Sequence, residues 1–219
     1  MDGRIIQGLY GIADLGYRAD LPLRLKIEAF LAGGASVVQV RAKERPAREL
    51  LAAARLALEL AAGRALVIVN DRPDVAMVAG ADGVHVGAED LPVAEVRRIV
   101  GPQMIVGATA RTLVEARAAL AAGADYVGFG PVFPTSTKEL AVEARGLPML
   151  AEVVRGLGAP VVAIGGITLE RAEEVARAGA AAVAVVSDVL GATHPADRAR
   201  LFAEAVARGQ SQAEPREVS

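Results

Sequence analysis

Two hydrophobic periods alternate along this chain. Runs that are apolar at nearly every position occupy residues 8–12, 65–69, 104–108 and 161–165, the pattern of strands buried on both faces of a parallel sheet. Stretches in which apolar residues return every three or four positions occupy residues 47–62, 91–100, 113–121, 147–157 and 169–178, and these predict amphipathic helices. Between them a short signal recurs: Ala32-Gly33-Gly34-Ala35, Ala79-Gly80-Ala81-Asp82, Ala122-Gly123-Ala124-Asp125 and Ala178-Gly179-Ala180-Ala181, each followed by a further apolar run. An alanine-rich helix that meets a glycine suited to the left-handed C′ position, and soon restarts as a strand, is a helix-to-strand junction. Four such junctions and four intervening runs give eight strands. The expected fold is a single α/β (β/α)8 TIM barrel, whose sites form where strands end and βα loops begin. An open doubly wound sheet also alternates strands and helices, but its dinucleotide version needs G-x-G-x-x-G after the first strand, and Gly11-Ile12-Ala13-Asp14-Leu15-Gly16 lacks it.

Length and composition narrow the picture. The 219 residues suit one barrel domain over 1–207, and the polar stretch 208–219 is expected to be a disordered tail. With 53% hydrophobic but only 3% aromatic residues, the core must be built from Ala, Val, Leu and Ile. No apolar run approaches the ~20 residues of a membrane span, and the start Met1-Asp2-Gly3-Arg4 lacks a signal-peptide core, so a cytoplasmic protein without a membrane partner is expected. The absence of cysteine excludes disulfides, thiolate metal sites and thiol nucleophiles. A net charge of -2 with mixed signs argues against a nucleic-acid surface.

The candidate chemistry collects at strand ends. Lysine occurs only at Lys26, Lys43 and Lys138, while arginine supplies the remaining positive charge. Two of those lysines follow apolar runs, which suggests phosphate recognition by a compact ammonium. Strand alternation puts Gln39, Arg41 and Lys43 on one face of strand two, where two neighbouring cations call for an anion such as a diphosphate, or else mark a solvated strand end. Strands three and four each deliver an aspartate, Asp71 and Asp90, a pair suited to Mg2+ held by carboxylates and substrate phosphates. Helix capping before Leu91-Pro92 is the competing role for Asp90.

After strand six, Pro131-Val132-Phe133-Pro134 cannot continue a ladder, and Thr135, Ser136, Thr137 and Lys138 then offer three hydroxyls and an ammonium, either to an anion or simply to a Ser/Thr-rich turn. Gly165-Gly166 after strand seven and Val186-Ser187 after strand eight fit the phosphate site of many such barrels, and the glycines also suit a tight turn before Thr168. His85 reads as a hydrogen-bonded barrel residue more than a base, and His194 as a surface turn residue.

Taken in order, Val38-Gln39-Val40-Arg41-Ala42-Lys43, Asn70-Asp71-Arg72, the segment from Ala81 to Asp90, Gly128-Phe129-Gly130-Pro131-Val132-Phe133-Pro134-Thr135-Ser136-Thr137-Lys138 and Ile164-Gly165-Gly166-Ile167 resemble the thiamine-phosphate synthase family. The resemblance covers nearly the whole chain. It implies a transferase of thiamine biosynthesis that joins hydroxymethylpyrimidine diphosphate to a thiazole or carboxythiazole phosphate, with Mg2+, releasing pyrophosphate. By the same resemblance Gln39 and Asn70 hold the pyrimidine, while Arg41, Lys43, Thr109 and Lys138 meet its diphosphate. Asp71 and Asp90 carry the metal, Thr135, Ser136 and Thr137 face the thiazole partner, and Gly166, Val186 and Ser187 bind its phosphate.

The expected partners are these small molecules, with a homo-oligomer left open. Thr109 stands where the family usually has Ser, Arg111 where it has His, and Ala88 where it has Gln; the first strand reads Gly11-Ile12-Ala13-Asp14 in place of the commoner Ile-Thr-Asp. A thiazole tautomerase is the rival barrel enzyme, disfavoured because Pro131 stands where that family uses histidine. A non-catalytic phosphate-ligand sensor is the rival from another class.

Overall fold

A computed structural model of the chain describes residues 5–135 and 143–213. The order is β1 Gly8–Asp14, α1 Leu23–Ala32, β2 Val37–Arg41, α2 Ala47–Ala61, β3 Leu66–Asn70, α3 Pro73–Ala79, β4 Gly83–Val86, α4 Val93–Val100, β5 Ile105–Ala110, α5 Leu113–Ala121, β6 Tyr126–Phe129, α6 Gly146–Gly156, β7 Val161–Ile164, α7 Leu169–Arg177 and β8 Ala182–Val185. A short α8, Ser187–Leu190, and a long α9, Pro195–Ser211, complete it. Each strand pairs in parallel with the next, and β8 returns to β1 through Gly8 opposite Ala182, closing the barrel. The left-handed residue behind each alanine-rich junction is Gly34, Gly80, Gly123 or Gly179. Among the described residues no helix is long and apolar enough to cross a membrane.

Period-two alternation divides the strands between two cores. Outward-facing Leu9, Val38, Val40, Val67, Val69, Val84, Val106, Val127 and Ala163 pack with helix residues such as Phe30, Ala54, Ala57, Leu150 and Val175. Inward-facing Tyr10, Ile12, Val37, Leu66, Ile68, Tyr126, Val162, Ala182 and Ala184 fill the barrel. On the same inward face, nearer the strand ends, stand Asp14, Gln39, Asn70, His85 and Thr109, as the registers Ile12–Gln39, Asp14–Arg41 and Asn70–His85 require.

Three boundaries differ from the sequence pattern. β2 ends at Arg41, and Lys43 lies in the turn that follows, next to Glu44 at φ 59°, so it does not share a strand face with Gln39 and Arg41. α4 starts at Val93 with Pro92 as its N-cap, which removes Asp90 from the capping position. α9 runs past Arg208 to Ser211 because Val206 and Gly209 are buried in it and the Gln210 side chain donates to the Ala181 carbonyl at 2.7 Å. The polar composition from Arg208 onward therefore marks the last turn of a packed helix before it marks any tail.

Candidate active site

β1 and β2 bring an acid and a base to the mouth together. Asp14, 4% exposed, forms an ion pair with the Arg41 guanidinium, and its Oδ1 also accepts the Gly16 amide at 2.7 Å. Lys26 reaches up from α1, 1% exposed, and donates to the Asp14 carbonyl at 2.9 Å and the Tyr17 carbonyl at 2.6 Å. Burial pushes its ammonium below the ordinary lysine range, with Asp14 and Asp20 opposing that shift. Sequence reasoning missed both residues. Asp14 was readable only as a variation in the first strand, and a helical lysine is usually solvated.

The ends of β3 and β4 deliver the acid pair. Asp71 sits at φ 65°, a left-handed conformation uncommon for a residue with a side chain, and its amide donates to the His85 carbonyl at 2.8 Å. Strain of this kind persists where surrounding structure over-determines it. The Asp90 carboxylate accepts the Gly87 amide at 2.8 Å, which fixes it across a tight turn. The Asp71 and Asp90 side chains share a hydrogen bond. Burial, then that bond and the charge of Asp90, push Asp71 up to about 6, while Lys43 and Arg41 act in the opposite direction.

The acid pair and the two cations are thus electrostatic neighbours, and a cavity of about 230 Å³ is lined by Lys43, Asn70 and Asp71 with Arg45 and Arg72. Two adjacent carboxyls, one driven toward its protonated form by the other, are a donor set suited to a hard divalent cation. Among the described residues no three His, Cys, Asp or Glu side chains converge, so such a cation would draw its other ligands from water or substrate.

Gln39 is 4% exposed and donates from Nε2 to the Tyr10 hydroxyl at 2.9 Å. Thr109, inward on β5, lies 3.0 Å from His85 Nε2. His85 is therefore a hydrogen-bonded barrel residue, and His194 is exposed as the N-cap of α9.

Opposite these groups, the loop after β6 folds onto the end of β7. Val132 donates to the Ile164 carbonyl at 2.9 Å and Phe133 to the Gly165 carbonyl at 3.0 Å. Gly166 has φ 63°, and a Cβ there would lie 2.3 Å from the Pro134 carbonyl oxygen, so this approach admits only glycine. The Arg171 guanidinium covers the Phe133 ring at 4.4 Å and donates to the Gly166 carbonyl at 3.1 Å, binding the two loops together. Val186 and Ser187 stand at the start of α8, braced from below by Asp188, which accepts Arg198 Nε at 2.8 Å and the Leu169 amide at 3.2 Å. Thr135 lies on this rim, while Ser136, Thr137 and Lys138 lie outside the described residues.

The chain resembles known proteins along most of its length. The family model described as thiamine monophosphate synthase matches residues 9–189. A thiamine-phosphate synthase of Anaeromyxobacter dehalogenans is 60% identical over 167 residues, covering 76% of this chain and 75% of the relative. One of Myxococcus xanthus is 48% identical over 205 residues, covering 93% and 94%. Among solved structures, a thiamine phosphate pyrophosphorylase from Pyrococcus furiosus superimposes with a TM-score of 0.85 at 37% identity, covering 94% of this chain and 98% of its own.

Proposed function

This chain belongs to the thiamine monophosphate synthase family and is a transferase of thiamine biosynthesis, and from that premise we propose that it condenses hydroxymethylpyrimidine diphosphate with a thiazole or carboxythiazole phosphate in a Mg2+-dependent reaction of the cytoplasm. The observation that carries this reading is the gathering of Lys43, Asn70 and Asp71 around one cavity, with Asp90 and Arg41 close enough to act on the Asp71 carboxyl. Arg41 and Lys43 would grip the diphosphate, and Thr109 would donate a hydrogen bond to it. Gln39 and Asn70 would orient the pyrimidine ring. Asp71 and Asp90 would hold Mg2+, which when bound supplies positive charge against the leaving oxygens.

The carbon–oxygen bond breaks with its electron pair leaving on the diphosphate, and the aminopyrimidine stabilises the methylene cation that remains. The thiazole nitrogen then donates its lone pair to form the new carbon–nitrogen bond. No protein nucleophile takes part, so the chain contributes positioning and electrostatic stabilisation. Thr135, Ser136 and Thr137 would face the thiazole, and Gly166 with Val186 and Ser187 would bind its phosphate through backbone and hydroxyl donors. Lys138 would bring a second ammonium to the diphosphate.

A coupled pyrophosphate-release assay tests the reading: release should require both substrates and Mg2+. Tight binding of the pyrimidine diphosphate with no pyrophosphate after addition of the thiazole phosphate would point to a sensor. Asp71→Ala or Lys138→Ala should lower turnover by about a hundredfold or more, the scale of one lost preorganised contact.

A further inference from the structure

An unbroken line of polar side chains crosses the apolar interior of the barrel. Gln39 Nε2 donates to Tyr10 OH at 2.9 Å, Tyr10 OH lies 2.9 Å from Tyr126 OH, Tyr126 OH lies 3.0 Å from His85 Nδ1, and His85 Nε2 lies 3.0 Å from Thr109 Oγ1. The two tyrosines are 2% and 0% exposed, deep in a layer otherwise made of Ile, Val, Leu and Ala. The barrel is cut to admit them: a Cβ on Gly107 would lie 2.1 Å from the Tyr126 ring, and one on Gly128 would lie 3.0 Å from His85 Cε1. Shape filling alone would be met by phenylalanine. The hydroxyls add a continuous hydrogen-bond path whose two ends, Gln39 and Thr109, are groups assigned above to the two parts of one substrate.

We propose that Tyr10, Tyr126 and His85 are positioning residues that polarise this path in one direction, fixing His85 as the Nε2–H tautomer and thereby presenting the Thr109 hydroxyl as a hydrogen-bond donor toward the diphosphate. This rests on the reaction proposed above.

The direction follows from donor and acceptor capacity. Gln39 spends an amide N–H on Tyr10, so the Tyr10 proton must find another acceptor, and among its bonded neighbours that is the Tyr126 oxygen. Tyr126 then directs its own proton to His85 Nδ1. A histidine that accepts at Nδ1 carries its proton on Nε2 when neutral, and Nε2–H donates to Thr109 Oγ1. The Thr109 proton is left for an anion in the mouth. At the other end Gln39 keeps Oε1 as an acceptor, the group an exocyclic amine of an aminopyrimidine would need.

Reversing every bond would turn the Gln39 amide over and make the Thr109 hydroxyl donate inward. Only lone pairs would then face the diphosphate, so that polarity opposes the chemistry. Mixed polarity would leave a buried hydroxyl proton without an acceptor, which the interior penalises. Burial holds both phenols well above their ordinary range, so they remain O–H donors throughout the working pH range.

The chain has only two histidines, His85 and exposed His194, so 15N-histidine correlation spectra of the substrate-free full chain report the tautomer directly. The wild type should show His85 fixed with its proton on Nε2, and Tyr126→Phe, which keeps the ring and removes the bond, should show exchange between tautomers. In steady-state assays the same variant should lose roughly ten- to a hundredfold in kcat/KM for the pyrimidine diphosphate while KM for the thiazole phosphate is unchanged, as expected when the support behind a positioned contact is removed. A His85 proton on Nδ1, tautomer exchange in the wild type, or an unchanged kcat/KM in Tyr126→Phe would each overturn the proposal. Absence of pyrophosphate release in a wild type with the Nε2–H tautomer fixed would instead fault the reaction assigned above, because the spectrum needs no substrate.

Discussion

Replacing Asp71 by asparagine removes one of the two carboxyls of the acid pair while keeping its shape. Asparagine accepts the left-handed backbone at this position as readily as aspartate does, so the turn at φ 65° should survive. In the metal-free chain Asp71 stands at about 6 against an ordinary 3.8, so between those values the folded state binds a proton that the unfolded state does not. Stability therefore falls as pH rises through that window, and the penalty is complete above about pH 6.

Unscreened, the shift corresponds to roughly 3 kcal/mol, and with the carboxyl partly open to solvent at the mouth about 1 kcal/mol is the realistic figure. In EDTA at about pH 8, Asp71→Asn should therefore melt about 2–4 °C above the wild type, and the advantage should vanish near pH 4. Mg2+ should reverse the order. A cation that displaces the Asp71 proton loses about tenfold in apparent affinity between roughly pH 8 and pH 5, and saturating Mg2+ should raise the wild-type melting temperature but not that of the variant. Calorimetric melts across pH, with and without Mg2+, check both signs. A variant less stable than the wild type in EDTA at about pH 8, or equal Mg2+ stabilisation of both proteins, would refute the reasoning.

Asp14→Asn keeps an acceptor for the Gly16 amide but takes the counter-charge from Arg41; urea unfolding should show a loss of about 2–3 kcal/mol, and no loss would mean that the ion pair holds nothing. Lys26→Met leaves the carbonyls of Asp14 and Tyr17 without their ammonium, and the same measurement should show a loss of roughly 2–4 kcal/mol, refuted if the apolar replacement is neutral. Gly166→Ala pushes a methyl into the Pro134 carbonyl at a left-handed backbone position, and steady-state kinetics should give a KM for thiazole phosphate raised about tenfold or more with KM for the pyrimidine diphosphate unchanged.

The barrel was legible because two local signals repeat. Apolar runs mark strands buried on both faces, and the alanine–glycine junctions mark where helices stop, as Gly34, Gly80, Gly123 and Gly179 do with positive φ. The acid pair was legible for a related reason: Asp71 and Asp90 each end an apolar run on neighbouring strands. Strand alternation failed for Lys43 because the ladder stops at Arg41, and beyond that point a turn decides direction. Composition failed at Arg208 because a helix end is polar whether it packs or frays, and only Val206, Gly209 and the bond from Gln210 settle which. The Tyr10–Tyr126 contact joins positions 116 residues apart. Inside two apolar runs each tyrosine reads as ordinary core, and its hydroxyl acquires meaning only once closure brings β1 opposite β6.

The charges at the mouth explain why metal and leaving group would bind as a unit. Arg41 is already balanced by Asp14, and burial with the neighbouring Asp90 pushes the Asp71 carboxyl toward its protonated form. A free diphosphate approaching Arg41 also meets Asp14 and an Asp71 that ionises above about 6. A free cation approaching the acid pair meets Arg41 and Lys43 close enough to perturb Asp71. Each ligand alone thus pays repulsion from the half of the site built for the other. A divalent cation already carrying diphosphate oxygens presents opposite charge to both halves, and every interaction that opposed the separate ligands then favours the pair. On the proposed reaction, a preference for a metal-bound diphosphate over either component would follow from placing two carboxylates and two cations within reach of one another.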